Sequence, residues 1–141
     1  MATTMRLTKQ RRMILAELAG MDTHPTAEEM LAVMRRRLPS ISIGSVYRNL
    51  EALADAGMIL RLDGRARRYD GRAQSHVHVC CPECGGVRDW WEPDMHRVLQ
   101  RGLRVAAKWG FTSCRMELQG RCGSCAGAAT NVATQSQPEG T

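Results

Sequence analysis

Four cysteines in two Cys-x-x-Cys pairs, Cys81 with Cys84 and Cys122 with Cys125, are the residues of this chain best suited to hold a metal. Each pair can present two thiolates from a tight knuckle, and the 37 residues between Cys84 and Cys122 can fold out and bring the second pair back to the first. Four sulfur ligands leave a zinc ion no open coordination position, so the expected site is structural. The competing chemistry is a dithiol redox couple. That needs one exposed pair with a lowered thiol pKa at a helix N-terminus in a βαβ setting, and neither pair has such surroundings. Cys80 and Cys114 are left over and read as small, partly buried hydrophobes.

A second constellation is built from nitrogen and oxygen. Only four histidines occur, and His76 and His78 flank Val77 at the start of an expected strand. A period of two puts both imidazoles on one face. Asp70, Asp89 and His24 could join them in a mixed site suited to Fe(II), Mn(II) or Zn(II) and unsuited to soft Cu(I). Spacing alone singles out the histidine pair; His24, Asp70 and Asp89 read equally well as surface or capping residues. His96, on an expected helix, reads as a surface or interface residue. The chain has no Gly-x-x-x-x-Gly-Lys phosphate loop and no Gly-x-Ser-x-Gly nucleophile elbow, so no enzyme activity is expected.

These ligands need elements to position them, and 141 residues can supply one domain or two small ones, neither with a large core. A structural zinc can contribute about 10–16 kcal/mol of apparent binding energy, comparable to a domain's whole net stability. The second half is therefore expected to depend on its metal. Charge is uneven: residues 1–72 carry thirteen Lys and Arg against eight Asp and Glu, a net of +5, and residues 73–141 carry seven against six, a net of +1. Eighteen of the twenty basic residues are arginine, the better match to phosphate and guanine. No run is long enough for a signal peptide or a membrane span, so the expectation is a cytoplasmic protein with reduced thiols.

Along the front half, Thr8 can cap a helix over 9–19 with Ile14, Leu15 and Leu18 on one face and Gly20 at its end. Thr26 and Glu29 form a capping box for a second helix that carries Ala27, Leu31, Met34 and Leu38 and stops at Pro39. Ser42 caps a third, whose buried stripe is Val46, Leu50 and Leu53 and whose end is marked by Gly57. Ser45, Tyr47, Arg48 and Asn49 lie off that stripe and are residue types that bond bases and phosphates. Strand-like runs at 58–62 and 66–70 follow, joined by a turn at Asp63 and Gly64. Three helices and a hairpin make a winged helix-turn-helix, with Arg65, Arg67 and Arg68 on the wing.

The expected division is a winged-helix DNA-binding domain at 1–72, a hinge at 73–75, a zinc-binding dimerisation domain at 76–125 and a disordered tail at 126–141. The fold class is α+β, a winged helix-turn-helix followed by a small α/β dimerisation domain with a four-cysteine zinc site. In the second half the pattern predicts strands through Cys81, around 87–91 and over 112–118, and a helix over 93–109. That helix has Met95, Val98, Leu99, Leu103 and Ala106 on one face, and further apolar surface there would suit a dimer interface.

The segments RLTKQRRMIL, HPTAEEM, SIGSVYRNL, RRYD, HVHVCCPEC and GRCGSC stand in an order and spacing that resembles the ferric uptake regulator family of bacterial metal-dependent repressors, across about residues 5–125. The resemblance implies a homodimer that binds double-stranded DNA at an AT-rich palindromic operator, with structural zinc on Cys81, Cys84, Cys122 and Cys125. It further implies a regulatory Fe(II) or Mn(II) between the domains on His24, Asp70, His76, His78 and Asp89. With aspartate at 70, the chain is most similar to the peroxide-sensing branch, in which Fe(II) and peroxide oxidise a histidine ligand. An auxiliary site of the family is not implied, because Ser75, Val77 and Cys114 stand at its positions. The rival reading is an iron- or zinc-sensing uptake regulator of the same fold; a thiol oxidoreductase or a zinc interaction module is more remote.

Overall fold

The computed structural model describes residues 5–72, 76–112 and 114–127. The hinge at 73–75, with Ser75, and the tail beyond Gly127 lie outside the described residues. The chain divides into two compact units, Met1–Ala73 and Gln74–Thr141.

In the first unit α1 spans Lys9–Ala19, and its Thr8 side chain accepts from the Arg11 amide. Helix α2, Ala27–Met34, opens on a complete capping box between Thr26 and Glu29. It is shorter than its apolar pattern suggests. The Arg36 and Arg37 amides reach back only three residues, to Val33 and Met34, and this tightening ends the helix while Leu38 still packs on the core. Helix α3, Ile43–Asp55, is capped by Ser42 and buries Val46, Leu50 and Leu53, the stripe expected from its spacing. Gly57 follows with φ of 71°, the left-handed conformation that closes a helix and favours glycine.

Ile14 and Leu18 of α1, Met30 and Met34 of α2 and the α3 stripe pack into one core with Ile59 and Tyr69. Each such large apolar side chain contributes about 1.5–3 kcal/mol by leaving water. The wing pairs β1, Leu60–Leu62, with β2, Arg68–Asp70, antiparallel, in the register Leu60 to Asp70 and Leu62 to Arg68. The turn is therefore the whole of 63–67, not the dipeptide Asp63-Gly64. A tight turn there would pair different residues, and it is the full burial of Tyr69 against the helices that sets the register.

The second unit is a three-stranded sheet of order β4-β3-β5. Strand β3, Val77–Cys80, runs antiparallel to β4, Val87–Trp90, and parallel to β5, Met116–Gln119. The parallel return requires a crossover, supplied by α4, Pro93–Ala107, whose Glu92 cap accepts from the Asp94 and Met95 amides. Helix α4 buries Leu99 and leaves Val98 and Val105 more than half exposed, beside exposed Trp109 and Phe111. A short helix α5, Gly123–Ala126, which no sequence periodicity announced, carries the last two cysteines at its start and within it. Among the described residues no helix is long and apolar enough to cross a membrane.

Candidate metal centres

The four cysteines converge as their spacing suggested. The ligand sulfurs of Cys81, Cys84, Cys122 and Cys125 all lie within 4.8 Å of one another, with Cys84 and Cys122 at 3.8 Å. A tetrahedral zinc with bonds of about 2.3 Å sets its sulfurs about 3.8 Å apart, so the group fits this metal. The first pair sits on a knuckle closed by bonds from the Cys81 amide to the Gly86 carbonyl and from the Gly85 amide to the Cys81 carbonyl. Gly85 has φ of 70° there, and the Gly86 amide donates to Cys84 Sγ at 3.4 Å.

Backbone dipoles prepare the thiolates. The Cys122 amide donates to Cys81 Sγ at 3.3 Å, and with a second backbone donor at Cys84 it holds the Cys81 thiol below its ordinary value. Cys122 is lowered by the Cys125 backbone, and Cys125 is raised by its bond to Cys122. Of the two cysteines left over, Cys80 is half-buried and its thiol is pushed up to about 11, by burial first and then by Glu117. Cys114 is exposed, not partly buried as its type suggested.

The nitrogen and oxygen donors fall into two sets, one in each unit. In the first unit His24 and Asp70 are both buried, with His24 Nδ1 3.8 Å from Asp70 Oδ1. The loop holding His24 is fastened to β2: Arg68 donates to the His24 carbonyl at 2.7 Å, and the Tyr69 amide donates to the Pro25 carbonyl at 3.0 Å. Asp70 is oriented by the Arg72 amide at 2.9 Å. Gly71 makes this corner possible, since a Cβ there would lie 2.9 Å from the Leu18 carbonyl carbon and Cβ.

In the second unit the ladder pairs His78 with Asp89 directly, and alternation along the chain brings His76 to the same face. His76 Nε2 lies 2.7 Å and His78 Nε2 3.5 Å from the same oxygen, Asp89 Oδ1. The two rings are 4.4 Å apart between centroids. Two imidazoles and one carboxylate on one sheet face form the set that holds non-haem Fe(II) with positions left open. The His76 ring is also stacked on Trp91, at 5.4 Å and 14°. His96, half-buried, packs on Trp91 in turn, at 6.1 Å. Trp91 was not among the expected site residues; its signal was its place two residues after Asp89, hence on the same face.

On α3, Tyr47 and Arg48 are exposed, and Arg48 bonds the Ser45 hydroxyl at 3.3 Å. Asn49 is used differently: its amide donates to Gln10 and accepts from Arg11, tying α3 to α1. The wing arginines also diverge. Arg65 is exposed on the turn, Arg67 pairs with Asp63 and Glu51, and Arg68 points inward to His24 and Glu29.

Comparison with known proteins agrees with these features. The sequence model described as the ferric uptake regulator family matches residues 2–119. A peroxide-responsive repressor PerR of Staphylococcus saprophyticus is 34% identical over 122 residues, which cover 85% of this chain and 82% of that protein. The Helicobacter pylori ferric uptake regulator Fur, whose structure is described as having three functional metal binding sites, superposes with a TM-score of 0.68 at 27% identity, over 89% of this chain and 85% of that one. The Campylobacter jejuni peroxide stress regulator superposes with a TM-score of 0.67 at 25% identity, over 80% and 85%.

Proposed function

Given that the chain belongs to the ferric uptake regulator family, we propose that it is a metal-dependent transcriptional repressor that releases DNA in response to peroxide. The observation that carries this reading is the two-histidine, one-carboxylate set of buried His76 and His78 with half-buried Asp89. Aspartate at 70 and the relative named as a peroxide-responsive repressor support the peroxide branch.

In this reading zinc holds the second unit together through Cys81, Cys84, Cys122 and Cys125. One regulatory ion, Fe(II) or Mn(II), takes His24 and Asp70 from the first unit and His76, His78 and Asp89 from the second. When bound, the iron supplies a centre at which peroxide can be activated. The protein's part is to supply the imidazole and carboxylate donors and to keep bulk water away from them. A coupling of about 1–3 kcal/mol between metal and DNA is enough to switch a repressor.

Ser45, Tyr47 and Arg48 on α3 are the groups assigned to an AT-rich palindromic operator, with Arg65 on the backbone. Asn49 and Arg67 act through their intramolecular partners, which orient α3 and the wing. The exposed apolar residues of α4, Val98 and Val105, are assigned to a homodimer interface.

The test is DNA binding by Fe(II)-loaded and Mn(II)-loaded protein after a brief low dose of peroxide, with peptide mass spectrometry. The iron form should lose affinity and gain one oxygen on the peptide holding His24 or His76, and the manganese form should do neither. Unmodified histidines beside intact metal-dependent binding would make the protein a plain iron or zinc sensor.

A further inference from the structure

The geometry points to Trp91 as a second oxidation site, an indole that intercepts part of the oxidant generated beside His76 and so sets how much peroxide is needed to damage a histidine ligand. The inference rests on the peroxide reading above and adds to it a residue that belongs to no ligand set.

Trp91 directly follows the end of β4 at Trp90, two residues after Asp89, so alternation carried one step beyond the strand puts it on the side of Asp89 and Trp90 on the other. There the Trp91 indole lies nearly parallel to the His76 imidazole, 5.4 Å between centroids and 14° between planes. His76 Nε2 is turned to Asp89 Oδ1 at 2.7 Å, so one ring is at once a donor of the iron-type set and the stacking partner of the indole. Indole is the more electron-rich of the two rings and the more easily oxidised. An oxidant formed at this set meets it within one ring's distance of the first histidine. Trp91 also packs against the tilted ring of His96, 6.1 Å between centroids, whose Nδ1 is buried without a hydrogen-bond partner.

The step balances with peroxide as the only co-reactant. The O–O bond breaks and a C–O bond forms at an indole ring carbon. The two electrons that reduce the O–O bond come from the ring, and the displaced ring proton leaves with the second oxygen as water. The indole gains one oxygen, and nothing is consumed besides peroxide. Oxidation at Trp91 leaves the three donor side chains intact, so it spends peroxide without destroying the ligand set.

The three tryptophans supply internal controls. Trp109 is 80% exposed, so oxidant diffusing in bulk solution strikes it first, and Trp90 lies on the opposite strand face. The experiment is peptide mass spectrometry of the full-length, zinc-containing protein loaded with Fe(II) or Mn(II) and exposed to graded peroxide. The expected result is one oxygen on Trp91, in severalfold greater yield than on Trp109, in the iron form alone. In Trp91→Phe, the fraction of oxidised His24 or His76 at a given dose should rise, and DNA release should shift to lower peroxide. Oxygen on histidine with none on Trp91, or equal yields at Trp91 and Trp109, would overturn the inference and leave the peroxide reading standing. No oxygen on any histidine or tryptophan would remove the peroxide reading and the inference together.

Discussion

The Tyr69 hydroxyl donates to the Glu51 carboxylate at 2.6 Å, joining wing strand β2 to helix α3 from within the core. Glu51 also pairs with Arg61 of β1 at 2.8 Å and with Arg67 of the turn at 3.4 Å, so one side chain of α3 gathers the whole wing. Tyr69 meets the exposed Tyr47 edge-on at 6.5 Å, and its neighbour in the strand is Asp70. The wing, the exposed face of α3 and the candidate ligand Asp70 are thus held in fixed relation inside one unit.

Tyr69→Phe should cost about 1.5–3 kcal/mol in urea unfolding, the range for a hydrogen bond to a charged group. Burial alone raises the Glu51 carboxyl, but the Tyr69 hydroxyl and the Arg61 and Arg67 guanidiniums outweigh it and hold the group below its ordinary value. A depressed folded value means the stabilisation is complete above the unfolded carboxylate range, about pH 4.3, and is lost as pH falls through the folded value. Glu51→Gln should therefore flatten the stability profile in that acid window. An unchanged acid slope would show that Glu51 does not gather the wing in solution.

Gly71→Ala tests the corner beside Asp70. The new methyl group would lie 2.9 Å from backbone and side-chain carbons of Leu18, which cannot swing aside as the far end of a flexible side chain would. We expect a loss of about 1–3 kcal/mol in thermal unfolding, the usual cost of overpacking. Regulatory-metal affinity should also weaken, because Asp70 moves with the strand. Wild-type stability would mean that α1 yields at its end.

Zinc removal should unfold the second unit. Binding worth about 10–16 kcal/mol exceeds or matches what so small a sheet can supply otherwise. Cys122→Ser or a strong chelator should abolish its far-ultraviolet signal while the first unit keeps its helices. Because zinc must displace the proton that Cys125 holds above the ordinary thiol range, affinity should fall as pH is lowered. Retained structure with zinc gone would refute the structural role.

DNA affinity has two separable handles. Arg48→Ala should weaken binding by about 1–3 kcal/mol in metal-free and metal-loaded protein alike, as expected for a base contact, measured by fluorescence anisotropy. His76→Ala should leave metal-free binding and the zinc content alone and abolish only the gain from Mn(II). If His76→Ala still responds to Mn(II), the regulatory ion binds elsewhere.

Local rules explain the elements that were legible from the chain. The caps at Thr8, Thr26 and Ser42 act within three residues, and the stripe of α3 repeats every three or four, so helix starts and buried faces follow from short stretches. The paired cysteines were equally legible, because a knuckle is local and a closed tetrahedral zinc site takes four such ligands. By contrast, α5 is four residues long and has no period to detect, and the end of α2 depends on Leu38 reaching a core assembled from other helices.

The amino-acid sequence by itself determined which residues could bind metal, where the helices begin and which face each one buries, because those properties rest on side-chain chemistry and on contacts within a few positions. Only the tertiary structure decided the wing register, the use of Asn49 to tie α3 to α1, the inward turn of Arg68, the parallel return of β5 and the stacking of Trp91 on His76. Each of these is a contact between residues far apart in the chain or on different strands, and its partner is chosen by what else must be buried or hydrogen-bonded at the same place.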